Sequence, residues 1–270
     1  GVGAAIAFLF GASVGSFATT AAYRMPRDIS IITPRSMCES CERQIPWWAN
    51  IPIFAFIGLR GRCIMCGAPI RFRHFLTEAA LAVTALYLYL TFPLPDAIAR
   101  FVLCASLFTV AWIDYDWRLI PNLVTFPGTL IGFAAAALVM PEVGWKSSLI
   151  GIAAGAGVLF LTGLLYQLLR GREGVGLGDV FLLGMVGGFL GWQGVLFTLF
   201  FGSLLGGVGG IAYALASSPQ PAPLGDPASD PAEADVSLMQ TTVPFGPFLA
   251  LAAGIYALFQ PQLTRWYLGG

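Results

Sequence analysis

The chain has 270 residues, of which 57% are hydrophobic and only 10% charged, with a mean hydropathy of +0.78. A water-soluble domain carries about 25% charged residues, so composition excludes an ordinary soluble globule and points to a polytopic membrane protein. Fourteen basic and fourteen acidic residues cancel, which leaves no bulk charge for attracting nucleic acid.

A membrane-spanning helix needs about 20 predominantly apolar residues, and on that criterion the fold expected is all-α with about eight transmembrane helices. Residues 1–22 form the first. With no basic n-region the apolar run reads as a span rather than a cleavable signal peptide; Gly1 in place of Met leaves the native start open. A polar segment, 23–74, follows and carries four of the five cysteines; it is expected to be a small cytoplasmic zinc-binding domain. Residues 75–270 then form the main bundle, with spans near 75–92, 96–113, 121–140, 147–169, 178–191, 194–216 and 244–260. The string Gly191-Trp-Gln-Gly194 is the break that makes eight spans rather than seven. Segment 217–241 is rich in Pro, Ala and Ser with scattered acids, the composition of a flexible loop, and it is expected on the cytoplasmic side. No internal repeat at a fixed period is evident.

Orientation follows from the basic residues of the short loops. Segment 23–74 holds eight arginines, and the eight-span arrangement adds Arg118, Arg170 and Arg172 to the same side, leaving Arg100, Lys146 and Arg265 on the other. That side is expected to be cytoplasmic, with both chain ends outward. Asp114, where the third span exits, and Asp179, where the sixth begins, then share the cytoplasmic face.

Cys38-Glu-Ser-Cys41 and Cys63-Ile-Met-Cys66 are two C-x2-C pairs, the spacing of a four-thiolate zinc site. Two disulfides are the rival reading, disfavoured in a reducing cytoplasm. Four thiolates leave no open coordination position, so the metal is expected to be structural, stapling a segment too small for a large core. Cys104 lies mid-span and reads as a small apolar packer. The aromatic stretch Ile45–Phe54 between the pairs reads first as packing of that module and contact with lipid headgroups, and second as the wall of a substrate groove. His74 and Glu78, four apart on one helix face, read as a local ion pair or an anchor for the module, or as parts of a second reaction.

Asp114 and Asp179 lie against the ends of long apolar runs, where an ionisable residue is costly and usually serves chemistry or transport. The plain alternative is two polar helix ends in the interface, with Asp116 and Arg118 keeping the first one solvated. Two carboxylates that meet can share a proton, so that one takes a proton from water while the other hydrogen-bonds the carbonyl under attack. A transporter with a carboxylate pathway and a scaffold with a structural zinc module remain open as rivals. No histidine-based triad competes, since His74 is the single histidine, and no H-E-x-x-H string occurs.

These strings resemble the type IV prepilin peptidase family, the bifunctional leader peptidases and N-methyltransferases of bacterial pilus and type II secretion systems. The similar parts are Ser16–Pro26 after the first span, the paired C-x2-C module around Ile45-Pro-Trp-Trp-Ala-Asn-Ile-Pro52, Asp114 followed by Pro121-Asn122, and Gly176-Leu-Gly-Asp179, which resembles the family's G-x-G-D motif. The resemblance implies Asp114 and Asp179 as the catalytic pair, Cys38, Cys41, Cys63 and Cys66 as zinc ligands, and prepilins or pseudopilins as substrates, cleaved at the cytoplasmic face of the bacterial inner membrane. It also implies methylation of the new N-terminus with S-adenosylmethionine, although no G-x-G-x-x-G loop is present. Three positions depart from the family pattern: Thr19 where Asn is usual, His74 where Tyr is common, and Phe181 where many members have Lys.

Overall fold

The computed structural model describes residues 1–171, 176–216 and 244–268; among these the regular structure is helical, and β pairing is limited to two isolated bridges. The helices are α1 (Val2–Arg24), α2 (Phe54–Gly58), α3 (Phe72–Thr91), α4 (Leu94–Trp117), α5 (Asn122–Leu138), α6 (Gly144–Arg170), α7 (Leu177–Ala216) and α8 (Gly246–Leu268). Their ends follow local chemistry. Pro93 precedes α4 and Asp96 lies in its first turn, while Arg118 closes it in a left-handed conformation. Gly171 does the same for α6. The loop expected at 217–241, and Arg172, lie outside the described residues.

Five segments are long and apolar enough to cross a membrane: Val2–Arg27, Phe72–Thr91, Leu94–Trp117, Gly144–Arg170 and Leu177–Ile211. Asn122–Leu138 is apolar but shorter, and α8 carries a break at Phe259, ahead of Pro261. As a straight rod α7 would reach about 60 Å, roughly twice the hydrocarbon thickness. It is not straight. Gly191 has φ 70° and ψ −174°, a conformation open essentially to glycine alone. A Cβ on Gly155 of α6 would lie 2.5 Å from the Leu183 carbonyl oxygen and 3.3 Å from Val195 Cγ2. Residues on either side of Gly191 therefore meet the same turn of α6, and the chain doubles back. The returning arm runs antiparallel to α8, with Gly194 beside Tyr256, Gly202 beside Leu249 and Gly206 beside Phe245. The reversal is tighter than the four-residue break expected from sequence, because one glycine supplies all of it.

On the other side of the bundle, α1 and α3 approach through Gly11 and Gly15, where a Cβ would fall within 2.4 Å of the Leu81 carbonyl oxygen and 2.7 Å of Glu78 Cα. Small residues four apart give the backbone proximity that replaces hydrophobic driving force in lipid.

Helix α4 is the central element. It continues past the expected end of its span, so Asp114 belongs to its last turn, on the face that buries Leu103, Leu107 and Val110. At the far end Arg100, expected only as an outward-facing loop cation, is fully buried. Its Nε donates to Asp96 Oδ1 at 2.7 Å and Nη1 donates to the Ala257 carbonyl at 2.8 Å, with Glu142 at 3.7 Å from Nη2. The guanidinium also lies 4.3 Å from the centre of the Phe92 ring. Asp96, one helical turn earlier, is what makes burying this charge tolerable.

Breaking a buried pair leaves its partner charged and unmatched, at a cost of about 3–5 kcal/mol. Arg100→Met should lower the denaturant-unfolding stability in detergent by about that amount. An unaltered unfolding curve would show that Arg100 does not hold α8 to α4.

Candidate active site and metal centre

The four cysteines expected as ligands come together. Cys38, Cys41, Cys63 and Cys66 offer sulfurs that all lie within 4.8 Å of one another, and Cys38 Sγ and Cys66 Sγ are 3.9 Å apart. Disulfide sulfurs are bonded at about 2.05 Å, so these are free thiols. Tetrahedral coordination with metal–sulfur bonds near 2.3 Å needs sulfur–sulfur edges of about 3.8 Å. The set matches that spacing and could hold one metal ion.

Each pair sits in the same backbone knuckle. The Cys38 amide donates to the Arg43 carbonyl at 3.0 Å, and that of Glu42 to the Cys38 carbonyl at 2.9 Å. Twenty-five residues later in the sequence, Cys63 donates to Ala68 at 2.8 Å and Gly67 to Cys63 at 2.9 Å. The bridges Met37–Gln44 and Arg62–Pro69 close the two turns, and Glu42 and Gly67 occupy the equivalent left-handed position. This local duplication was not evident in the sequence, because little beyond the cysteines is shared between the copies.

Burial opposes ionisation of Cys38, yet the amides of Cys41 and Ser40, with the adjoining thiols, outweigh it and bring its pKa down to about 7. At Cys66 the Ala68 amide favours the thiolate, but desolvation and the other three thiols prevail and push it up to about 11. Four thiols this close cannot all ionise alone; a divalent cation is what stabilises them together.

The module is docked onto α1 and α3. Glu39 meets Arg71 at 3.1 Å and His74 Nε2 at 3.6 Å. The His74 contact, with help from Arg71, outweighs partial burial and holds the Glu39 carboxyl below its usual range. His74 Nδ1 lies 3.1 Å from Thr19 Oγ1. Glu78, buried on α3, accepts the Ile53 amide at 2.7 Å. The anchor reading of His74 and Glu78 is realised: each reaches a different group across the interface. Ile53 is held at φ 65°, rare for a β-branched residue, and the Glu78 bond fixes that turn. The Ile45–Phe54 aromatics divide: Trp47 is 72% exposed and Trp48 48% exposed, and they do not form a packed centre. Packing onto α3 falls instead to Phe56, whose ring lies 5.0 Å from that of Phe75.

The two aspartates also converge. Asp114 is 7% exposed, whereas Asp116 and Arg118 are open to solvent, so Asp114 does not share the solvated helix end expected from its neighbours. Its Oδ2 accepts the Gly246 amide at 2.9 Å, at the start of α8. A Cβ on residue 246 would fall 2.6 Å from that oxygen, so only glycine permits the approach. Asp179 lies in the first turn of α7 and is half-buried. A Cβ on the preceding Gly178 would be 2.8 Å from Ile120 Cβ, so the start of α7 packs against the link that leaves α4. The Asp114 charge acts on Asp179 through space. Both carboxylates meet the N-terminal end of a helix, where exposed amides and the helix dipole favour negative charge. The Phe181 ring packs tilted against that of Phe126, with centroids 4.7 Å apart. Gly246 was missed in the sequence; Phe245-Gly-Pro247, a glycine before a proline that opens a helix, was its only signal.

Residues 9–92 match the family model for the bacterial peptidase A24 N-terminal domain, and residues 101–211 match that of the type IV leader peptidase family. A protein of Aeromonas hydrophila described as a prepilin leader peptidase/N-methyltransferase is 31% identical over 97% of this chain and 93% of its own length. The chain belongs to the type IV leader peptidase family. Relatives of the same description in Myxococcus xanthus (30% identical; 96% of the chain, 90% of that protein) and Pseudomonas aeruginosa (28%; 96% and 91%) extend the likeness. No solved structure matches the chain. The N-terminal match covers most of α1, the thiol module and α3, and the second runs from within α4 to within α7, which places the four module cysteines in one and both aspartates in the other. Two of the departures from the family pattern, Thr19 and His74, are hydrogen-bond partners of each other.

A four-thiolate site predicts about one divalent metal ion per purified chain. The double variant Cys63→Ser, Cys66→Ser should carry none by atomic emission; undiminished metal content would rule the site out.

Proposed function

We propose that the chain is an aspartyl endopeptidase that removes the leader peptide of type IV prepilins or pseudopilins and then methylates the new N-terminus. The observation that carries the reading is the convergence of Asp114 and Asp179 at the ends of buried helices within a chain of this family. In the reaction, one carboxylate takes a proton from water as its oxygen attacks the scissile carbonyl, and the other, protonated, donates a hydrogen bond to the carbonyl oxygen. The amine then leaves with a proton and the pair returns to its shared-proton state. The Gly246 amide steadies Asp114 in place and holds one of its oxygens, leaving the other for water.

The same reading places eight crossings in the bacterial inner membrane, with the two arms of α7 counted separately and both aspartates at the cytoplasmic face. The bias of arginines toward segment 23–74 and the loops on its side supports this orientation. Residues 23–74 are then a cytoplasmic domain whose structural ion is zinc, in keeping with an all-thiolate, fully coordinated site. A conduction path between the two faces is disfavoured, because Asp96 is locked to Arg100 and the stretch of α4 between Arg100 and Asp114 buries Leu103, Leu107 and Val110.

Asp114→Asn and Asp179→Asn should each reduce cleavage of a purified prepilin in detergent by about 10²–10⁴-fold. Wild-type rates in both variants would refute an aspartyl mechanism. Gly246→Ala should preserve the fold and slow cleavage about tenfold or more, since its methyl group displaces the Asp114 carboxylate. An unchanged kcat would remove Gly246 from the machinery.

A further inference from the structure

A cavity of about 370 Å³ lies between α1 and the thiol module, away from the aspartates. One wall is a single stripe of α1 formed by Ser13, Ser16, Phe17, Thr20 and Arg24. These positions span about 16 Å along the helix axis. The opposite wall comes from the module and includes Pro34, Arg35, Ser36 and Asn50. Small-molecule sites are typically about 300–1,000 Å³, largely preformed, and combine apolar lining with a few fixed polar groups. The walls here are fixed in that way. Arg24 donates to the carbonyls of Ser30 at 3.1 Å and Arg35 at 3.3 Å, and Asn50 donates to Ser36 Oγ at 3.2 Å. Beside the lining residue Pro52, the Ile53 amide donates to Glu78 Oε2 at 2.7 Å.

We infer that this cavity binds the methyl donor, a nucleoside carrying a sulfonium-linked amino acid; the inference rests on the methyltransferase reading above. Each part of such a ligand finds matching chemistry on these walls. Phe17, Ile32 and Pro34 offer apolar and aromatic surface for a purine, and Thr20 and Asn50 offer hydroxyl and amide groups for ribose. Arg35 suits the ligand's carboxylate. The Glu78 carboxylate is not itself part of the lining, but it lies on the turn of α3 that packs against Gly15, next to the lining residue Ser16, and is the anion offered to a sulfonium cation. A pocket of this kind also accounts for the lack of a G-x-G-x-x-G string, because side chains of a helix and a docked module replace the glycine-rich loop. When bound, the donor supplies a methyl group to an amine.

The cavity is set at the depth of the aspartates. Trp112, two residues before Asp114, donates from Nε1 to Thr77 Oγ1 at 2.8 Å, and Thr77 adjoins Glu78. Arg73 pairs with Asp116 in the same layer. A newly freed N-terminus would pass from the aspartates to the cavity within one layer, around α3 and α4, without crossing the bilayer.

The test is equilibrium titration of S-adenosylhomocysteine into the purified chain in detergent, with Thr20→Phe to fill the cavity and Asn50→Leu to remove a polar contact at an exposed position. Elution volume and unfolding midpoint identify folded preparations, and Asn50→Leu decides the matter if Thr20→Phe does not fold. Saturable binding by the wild type, weakened at least tenfold in the folded variants, is the expected result. Undiminished affinity in the variants overturns the cavity assignment while leaving methylation standing. A wild type that neither binds the analogue nor methylates a cleaved prepilin overturns the methyltransferase reading itself. Variants that alter only the phospholipid retained in native mass spectrometry would make the cavity a lipid groove and refute the inference.

Discussion

A single hydrogen bond, from the Gly246 amide to Asp114, joins the first turn of α8 to the last turn of α4. A carboxylate sunk among apolar helices is unfavourable unless something compensates it, and a backbone donor at a helix start does so without adding a second charge. At the opposite end, Arg100 ties α4 to the Ala257 carbonyl. The two helices are thus fixed at both ends by polar contacts buried away from water, and the axial position of α8 sets where the Gly246 amide falls. Asp179 depends on the same frame, because α7 packs its glycine-bearing start against the link out of α4.

Much of the chemistry was legible in the linear string, and the reason is local. C-x2-C pairs announce themselves because two ligands must come from one tight turn, and aspartates stand out against hydrocarbon because charge there is rare. The elements that complete the site were not legible, because their partners are remote. Gly246 serves a residue 132 positions away, and the carbonyl that receives Arg100 is 157 positions away. Arg100 itself resembled an ordinary boundary cation until Asp96, Glu142 and Ala257 were seen around it. The α7 reversal was placed correctly by its glycines, but its sharpness depends on α6 offering Gly151 and Gly155 to both arms.

The thiol module is wired to the membrane helices rather than resting on them. Glu39, inside the first knuckle, reaches Arg71 and His74 at the start of α3, and Ile53, between the two knuckles, reaches Glu78 on that helix. His74 in turn reaches Thr19 on α1. The Thr19–His74 contact joins α1 and α3 directly beneath the module. Any loosening of the module would therefore be felt at the α1–α3 surface as well.

The hairpin at Gly191 has a geometric corollary for the surrounding lipid. The arm from 177 to 190 rises only about 21 Å, and neighbouring α5, with 17 residues, about 26 Å, whereas hydrocarbon is about 30 Å thick. Gly191 reaches the level of the α5–α6 connection, beside Ser147 and Val143, so this arm and α5 are both shorter than the hydrocarbon, beside a much longer α6. Acyl chains must compress or bow around them, a mismatch that costs a fraction of a kcal/mol per Å. Where acyl chains thin beside this short arm, the helix start that carries Asp179 lies under less hydrocarbon than a full-length span would give it.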